Sequence, residues 1–137
     1  MYFLGIDLGT SSVKIIIMDE SGKVVNTTTR DFEISYPHIG WAEQNPDDWW
    51  DGTKEGIREI IKLSGLKSDE IKGIGFSGQM HGLVLLDKEN KVLMPAILWC
   101  DQRTQEECDY LNNVIGQDKL SKYTANMALT GFTAPKI

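Results

Sequence analysis

The sequence predicts an α/β domain whose sheet mixes antiparallel and parallel strands, and three observations carry that prediction. Two apolar, β-branched runs, Tyr2 to Ile6 and Val13 to Met18, flank a short Gly-Thr-Ser-Ser turn. A helical pattern with start signals follows at Asn45-Pro46-Asp47-Asp48. Beyond it, short apolar runs alternate with further helical spacing, the order expected when helices pack on a sheet.

Taken in order, Tyr2 to Ile6 and Val13 to Met18 read as a hairpin. After the turn residues Asp19-Glu20-Ser21-Gly22-Lys23, Val24 to Phe32 adds a third strand to the meander. Residues 37–45 read as irregular. The helix then opens with Asn45 as N-cap, Pro46 at the first helical position and acids in the first turn. Trp49, Trp50, Thr53, Ile57, Ile60 and Ile61 recur on one face, which predicts that both tryptophans pack, and Ser64-Gly65 closes the pattern. Ile71 to Phe76 and Leu83 to Leu86 read as strands separated by the polar loop 77–82, and Ile97 to Trp99 as a further strand or strand end. A second helix is predicted from Gln102 to Gly116 and a shorter third one over 118–123.

With 137 residues, 41% of them hydrophobic, the chain can bury one domain's core. A formal net charge of −6 speaks against a duplex nucleic-acid partner, which requires a broad basic surface. It does not exclude a nucleotide, because backbone N–H groups and a metal ion neutralise phosphates locally. Cys100 and Cys108 lack zinc-site spacing and read as free thiols. Without a basic leader or an apolar run of membrane-spanning length, the reading is a cytoplasmic protein with no membrane partner.

Two constellations carry chemistry. In the first, Asp7-Leu8-Gly9-Thr10-Ser11-Ser12-Val13-Lys14 puts a carboxylate at a strand end, then a tight turn, then a cation. Gly9 lets the backbone approach a polyphosphate closely, Thr10, Ser11 and Ser12 offer hydroxyl and N–H donors, and Lys14 adds a point charge. Asp7 suits Mg²⁺ held through water, since magnesium needs few carboxylates. An ordinary β-turn whose polar side chains serve only the local backbone fits the same residues. A strand rather than a helix follows the turn, so this is neither GxxxxGK[ST] nor GxGxxG. The stretch Ile6 to Lys14 resembles the first phosphate motif of the sugar-kinase, actin and hexokinase superfamily. That resemblance implies a ribonuclease H-like ATPase domain, with ATP phosphates on Gly9, Thr10, Ser11, Ser12 and Lys14 and the metal on Asp7.

The second constellation is Ser77-Gly78-Gln79-Met80-His81-Gly82. Gln79 and His81 can each donate to and accept from sugar hydroxyls, and Met80 can pack on a carbon skeleton. A polar turn whose histidine merely completes a hydrogen bond is the plainer alternative. With Gly40 to Pro46, Pro95 to Arg103 and the closing Gly131-Phe132-Thr133-Ala134-Pro135-Lys136, these residues resemble the FGGY carbohydrate kinases over the whole chain, and within them those acting on D-xylulose. Gln79-Met80-His81-Gly82 discriminates most, because related glycerol kinases carry an Arg-Glu pair where Met80 and His81 stand. The resemblance implies sugar contacts from Gln79, Met80, His81, Trp99, Asp101 and Phe132.

Trp99 also reads as a half-buried core aromatic, and Asp101 as a cap for the nearby helix. Arg103 reads as an exposed helix-start residue paired with Glu106 or Glu107. Cys100 stands where relatives often have Asn. The resemblance implies transfer of the ATP γ-phosphoryl group to D-xylulose, with Mg²⁺, and a general base supplied by an Asp beyond residue 137. Residues 1–137 then form part of an N-terminal kinase domain, inactive alone, for which a homodimer is compatible. Other acceptors (ribulose, gluconate, glycerol), a non-catalytic sugar- or nucleotide-binding module, and a protein-interaction fold stay open.

Overall fold

Valine, isoleucine and threonine crowd the first thirty residues, and in the computed structural model, which describes residues 1–137, they form the predicted meander. Strands β1 (Tyr2–Leu8), β2 (Ser12–Asp19) and β3 (Val24–Asp31) pair antiparallel in sequence order. The chain as a whole divides into two compact units, Met1–Glu33 with Asp47–Gln79 and Ile34–Pro46 with Met80–Ile137.

In the first unit, helix α1 (Pro46–Ser64) leads to strand β5 (Ile71–Gly78); a two-residue strand of the second unit, β4 (Glu43–Gln44), precedes the helix. β5 lies parallel to β1 at the sheet edge, giving the order β3-β2-β1-β5. Alternation along β1 and β2 turns Leu4, Ile6, Val13, Ile15 and Ile17 to one face, where they bury with Ile60 of α1. The helix comes close because two of its positions lack a side chain. A Cβ at Gly56 would stand 2.6 Å from Ile15 Cδ1, and one at Gly52 would stand 2.8 Å from Phe32 Cε1. Glu59 ties α1 to β3 by accepting from the Thr28 hydroxyl and pairing with Arg30 at 2.7 Å. Those contacts, the Thr28 hydrogen bond foremost, hold its carboxyl below the usual range. Gly65, at φ +64°, stops the helix where predicted.

The sheet face is narrower than the helix pattern implies. Trp50 is 67% exposed, so its predicted packing is corrected, while Trp49 is half-buried: the helix presents Gly52, Gly56 and Ile60 inward. Ile74 and Phe76 of β5 are also exposed.

The second unit is built from short pieces. β4 pairs antiparallel with β6 (Ala96–Ile97), and bridges join Ser35 to Glu43 and Leu83 to Ile97. β4 falls inside the stretch predicted irregular. The predicted strand Leu83 to Leu86 is corrected to bridges at its two ends, Leu83 to Ile97 and Leu86 to Val92. Its local partner is only the short return of the Asp87–Asn90 turn, where Asp87 Oδ1 accepts from the N–H groups of Glu89 and Lys91.

The predicted second helix starts at Gln105, not Gln102. It consists of α2 (Gln105–Asp109) and a wider π-helical segment, Tyr110–Gly116, followed by α3 (Gln117–Thr124). Asn112 in that segment clasps Ala128 through both its amide N and its amide O. A 3-10 turn, Ala134–Lys136, closes the chain. Both cysteines are free, and burial pushes the Cys108 thiol up. No helix is long and apolar enough to cross a membrane.

Candidate active site

The turn between β1 and β2 is closed by backbone bonds, with Ser11 exposed and Thr10 and Ser12 half-buried. Gly9 N–H donates to the Ser12 carbonyl at 2.9 Å, and Phe32 N–H donates to the Ser11 carbonyl at 2.8 Å. A Cβ on Gly9 would press to 3.1 Å from that Ser12 oxygen, so the tight return favours glycine. Asp7 and Lys14 are register partners, both exposed, on the sheet face opposite the α1 core. With Gly5, Ile16, Gly75 and Ser77 they line a groove of about 360 Å³. Asp7 is the only carboxylate on that groove, and no cluster of three or more metal-ligating side chains exists in the chain. A single exposed carboxylate beside open volume fits a magnesium ion that keeps most of its waters.

Gln79, expected at the sugar, lies in the first unit and bonds to this turn. The Thr10 hydroxyl donates to Gln79 Oε1 at 3.1 Å, and Gln79 N–H donates to the Leu8 carbonyl at 2.7 Å. Asp7, Gly9, Thr10, Ser11, Ser12, Lys14 and Gln79 are thus brought together in one unit, and Met80, His81, Trp99, Asp101 and Phe132 in the other.

In the second unit, Met80 is 71% exposed and Trp99 half exposed. His81 has left-handed backbone, φ +65°, unusual for a residue with a β-carbon. Its imidazole stacks on Phe132 with centroids 4.4 Å apart and planes inclined by 23°. The two rings border a pocket of about 230 Å³ together with Leu111, Leu120, Thr124 and Asn126. Lys136, 9% exposed, donates through Nζ to the carbonyls of His81 at 3.0 Å, Leu98 at 2.8 Å and Gly131 at 3.0 Å. Burial pushes its ammonium below the ordinary lysine range, with the charge of Asp101 opposing. Sequence reasoning passed over Lys136; its signal is a lone cation in the apolar run Ala134-Pro135-Lys136-Ile137.

Asp101 is 1% exposed and engaged on both oxygens. Oδ2 accepts from Ala42 N–H and Arg103 Nη2, each at 2.7 Å, and Oδ1 accepts from Arg103 N–H and Nε, each at 2.9 Å. Burial drives its carboxyl up, but the Arg103 and Ala42 donors together outweigh that and hold it below the usual range. The exposed Arg103 paired with Glu106 or Glu107 is corrected. The guanidinium is largely buried, bonds Asp101 and, at 2.7 Å, Glu43, and lies 3.7 Å over the Trp41 ring. Burial lowers its affinity for the proton, and the Asp101 and Glu43 bonds more than restore it. A planar fork between two carboxylates and over an aromatic face gains more here than as a solvated helix cap.

Comparison with known proteins gives one family. The model of the FGGY family of carbohydrate kinases, N-terminal domain, matches residues 2–137. The chain is 45% identical to the xylulose kinase of Bacillus subtilis over 136 residues, 99% of this chain and 27% of that protein. Among solved structures, a xyloylose kinase from Brucella ovis superposes with TM-score 0.92 at 40% identity, covering 99% of this chain and 28% of that one. The glycerol kinase of Plasmodium falciparum, solved with ADP, superposes with TM-score 0.91 at 27% identity, covering 98% and 27%. The chain therefore spans little more than a quarter of the length of these relatives. With its actin- and hexokinase-like strand order and a match along residues 2–137, the chain belongs to the FGGY family of carbohydrate kinases, as sequence of its N-terminal domain.

Proposed function

We propose that the complete protein carrying this chain is an ATP-dependent kinase that phosphorylates a hydroxyl of D-xylulose, and that residues 1–137 are the opening part of its N-terminal domain. The observation that carries the reading is a chain 45% identical to a xylulose kinase whose first unit holds the turn Gly9 to Ser12 between exposed Asp7 and Lys14, and whose second unit exposes Met80 and His81. Ser11 and Ser12 donate to phosphate oxygens, Lys14 balances their charge, and Thr10 borders the phosphates with its hydroxyl proton given to Gln79, which ties the turn to the end of β5. Asp7 would hold Mg²⁺ through water; the ion, when bound, neutralises charge on the β- and γ-phosphates. Met80, His81, Trp99 and Phe132 hold the sugar. Asp101 serves the same site by fixing the Trp41–Glu43 and Trp99–Arg103 segments, because its oxygens already accept protein donors.

In the reaction, the acceptor hydroxyl oxygen forms a bond to the γ-phosphorus as the bond to the β,γ-bridging oxygen breaks. ADP leaves, and the hydroxyl proton passes to a general base. No residue of this chain is assigned that role. A homodimer and a cytoplasmic location fit the same reading.

Coupled ADP release by the complete protein with MgATP and D-xylulose is the test. Asp7→Ala is expected to lower kcat by about a hundredfold or more, and His81→Ala to raise the sugar KM by about tenfold. Turnover untouched by both variants would refute the site. The likeness to a glycerol kinase favours a second acceptor class, so glycerol, D-ribulose and gluconate are run in parallel. Higher kcat/KM with any of these than with D-xylulose would transfer the assignment to that substrate.

A further inference from the structure

Lys136 is a buried ammonium with no carboxylate bonded to it. Its three donors meet three backbone carbonyls, those of His81, Leu98 and Gly131. These come from three separate stretches: the Met80-His81 element, the strand end before Trp99, and the turn before Phe132. Every one of these stretches carries a side chain assigned above to the sugar. Two further features show that they are held under constraint. His81 sits in the left-handed region, which a residue with a β-carbon keeps only where its surroundings over-determine it. Gly131 packs so closely on the Trp99 carbonyl that a Cβ there would collide with backbone.

We infer that Lys136 is a positioning residue for sugar recognition: its ammonium clamps the carbonyls of His81, Leu98 and Gly131 and so sets the posture of His81, Trp99 and Phe132 together. The inference rests on the proposed sugar site. Lysine suits the task because its tetrahedral head can address three converging oxygens, whereas the planar arginine fork cannot. Burial, ahead of the opposing charge of Asp101, accounts for the depressed proton affinity of the ammonium.

The test compares wild type with Lys136→Met, Lys136→Arg and Lys136→Gln in the complete protein. Lys136→Met keeps the stem without the donors and is expected to raise the D-xylulose KM by about ten- to a hundredfold, with the MgATP KM within about twofold of wild type. Lys136→Arg should fail to rescue although it keeps the charge. Should Lys136→Met not fold, Lys136→Gln keeps part of the donor set and should give an intermediate loss with the same split. A sugar KM unchanged in the folded variants, or equal losses for sugar and MgATP, overturns the inference. Wild-type protein inactive on every sugar would sink the kinase reading instead. The crystal structure of a variant then decides: displacement of His81 from Phe132 sustains the clamp, and an intact stack with left-handed His81 overturns it.

Discussion

Asp101 and Arg103 are two residues apart, yet what they hold together is distant in sequence: Ala42 lies 59 residues before Asp101, and Glu43 lies 60 before Arg103. Because the folded carboxyl of Asp101 titrates below its unfolded value, its contribution to stability is complete above about pH 3.9, the unfolded value. That contribution is lost as pH falls through the lower, folded value. Asp101→Asn should lower stability at neutral pH by about 3–5 kcal/mol, since Arg103 stays buried with half its charge partners gone. Urea midpoints taken downward from pH 7 should show the gap between wild type and variant closing on the acid side; a gap constant to pH 3 would contradict this account. The sequence marked Asp101, Trp99 and His81 as a group through the family pattern. It could not show that Arg103 is buried or that Lys136 joins three carbonyls, because both facts depend on partners met only through the fold. Composition around a residue reports its burial, not which distant backbone groups face it.

Helix α1 and the three-stranded meander were legible because their signals are local and repeated: alternation in the strands, a 3.6-residue period and end signals in the helix. β4 and β6, two residues each, lie below any periodicity and exist because they find one another. The π-helical segment shares its apolar spacing with an α-helix and differs only in the bonding that Asn112 and Ala128 accompany. Helix-to-sheet distance is another property that the pattern conceals and glycine exposes. Gly56→Val would drive a branched side chain into the fully buried Ile15. We expect a loss of about 1–3 kcal/mol from overpacking, read as a lower thermal midpoint. An unchanged midpoint would mean that α1 can lift from the sheet without penalty. Gly131→Ala should cost stability as well, because the atom it meets belongs to the Trp99 backbone and cannot rotate aside.

In the first unit, edge strand β5 leaves Ile74 and the 77% exposed Phe76 in register with the buried Leu4 and Ile6 of β1. A bare apolar strip on an edge strand is a surface that associates with others. The 137-residue polypeptide should therefore sediment with a concentration-dependent oligomer fraction, and Phe76→Lys should reduce that fraction. Sedimentation indifferent to Phe76→Lys would locate any association elsewhere. The Lys136 contacts also set an order of events during synthesis. The backbone bonds that close the β1–β2 turn come from the first thirty-two residues, whereas the Gln79 contacts and the pairing of β1 with β5 come from residues made later. His81 waits for a lysine 55 residues further on. At about 5–20 residues per second, several seconds separate its own emergence from the arrival of its clamp. During that interval the nascent chain holds the local bonds of the β1–β2 turn without the contact that joins the His81 carbonyl to Lys136, and a ribosome stalled between the two points would separate the folding of the turn from that of the loop.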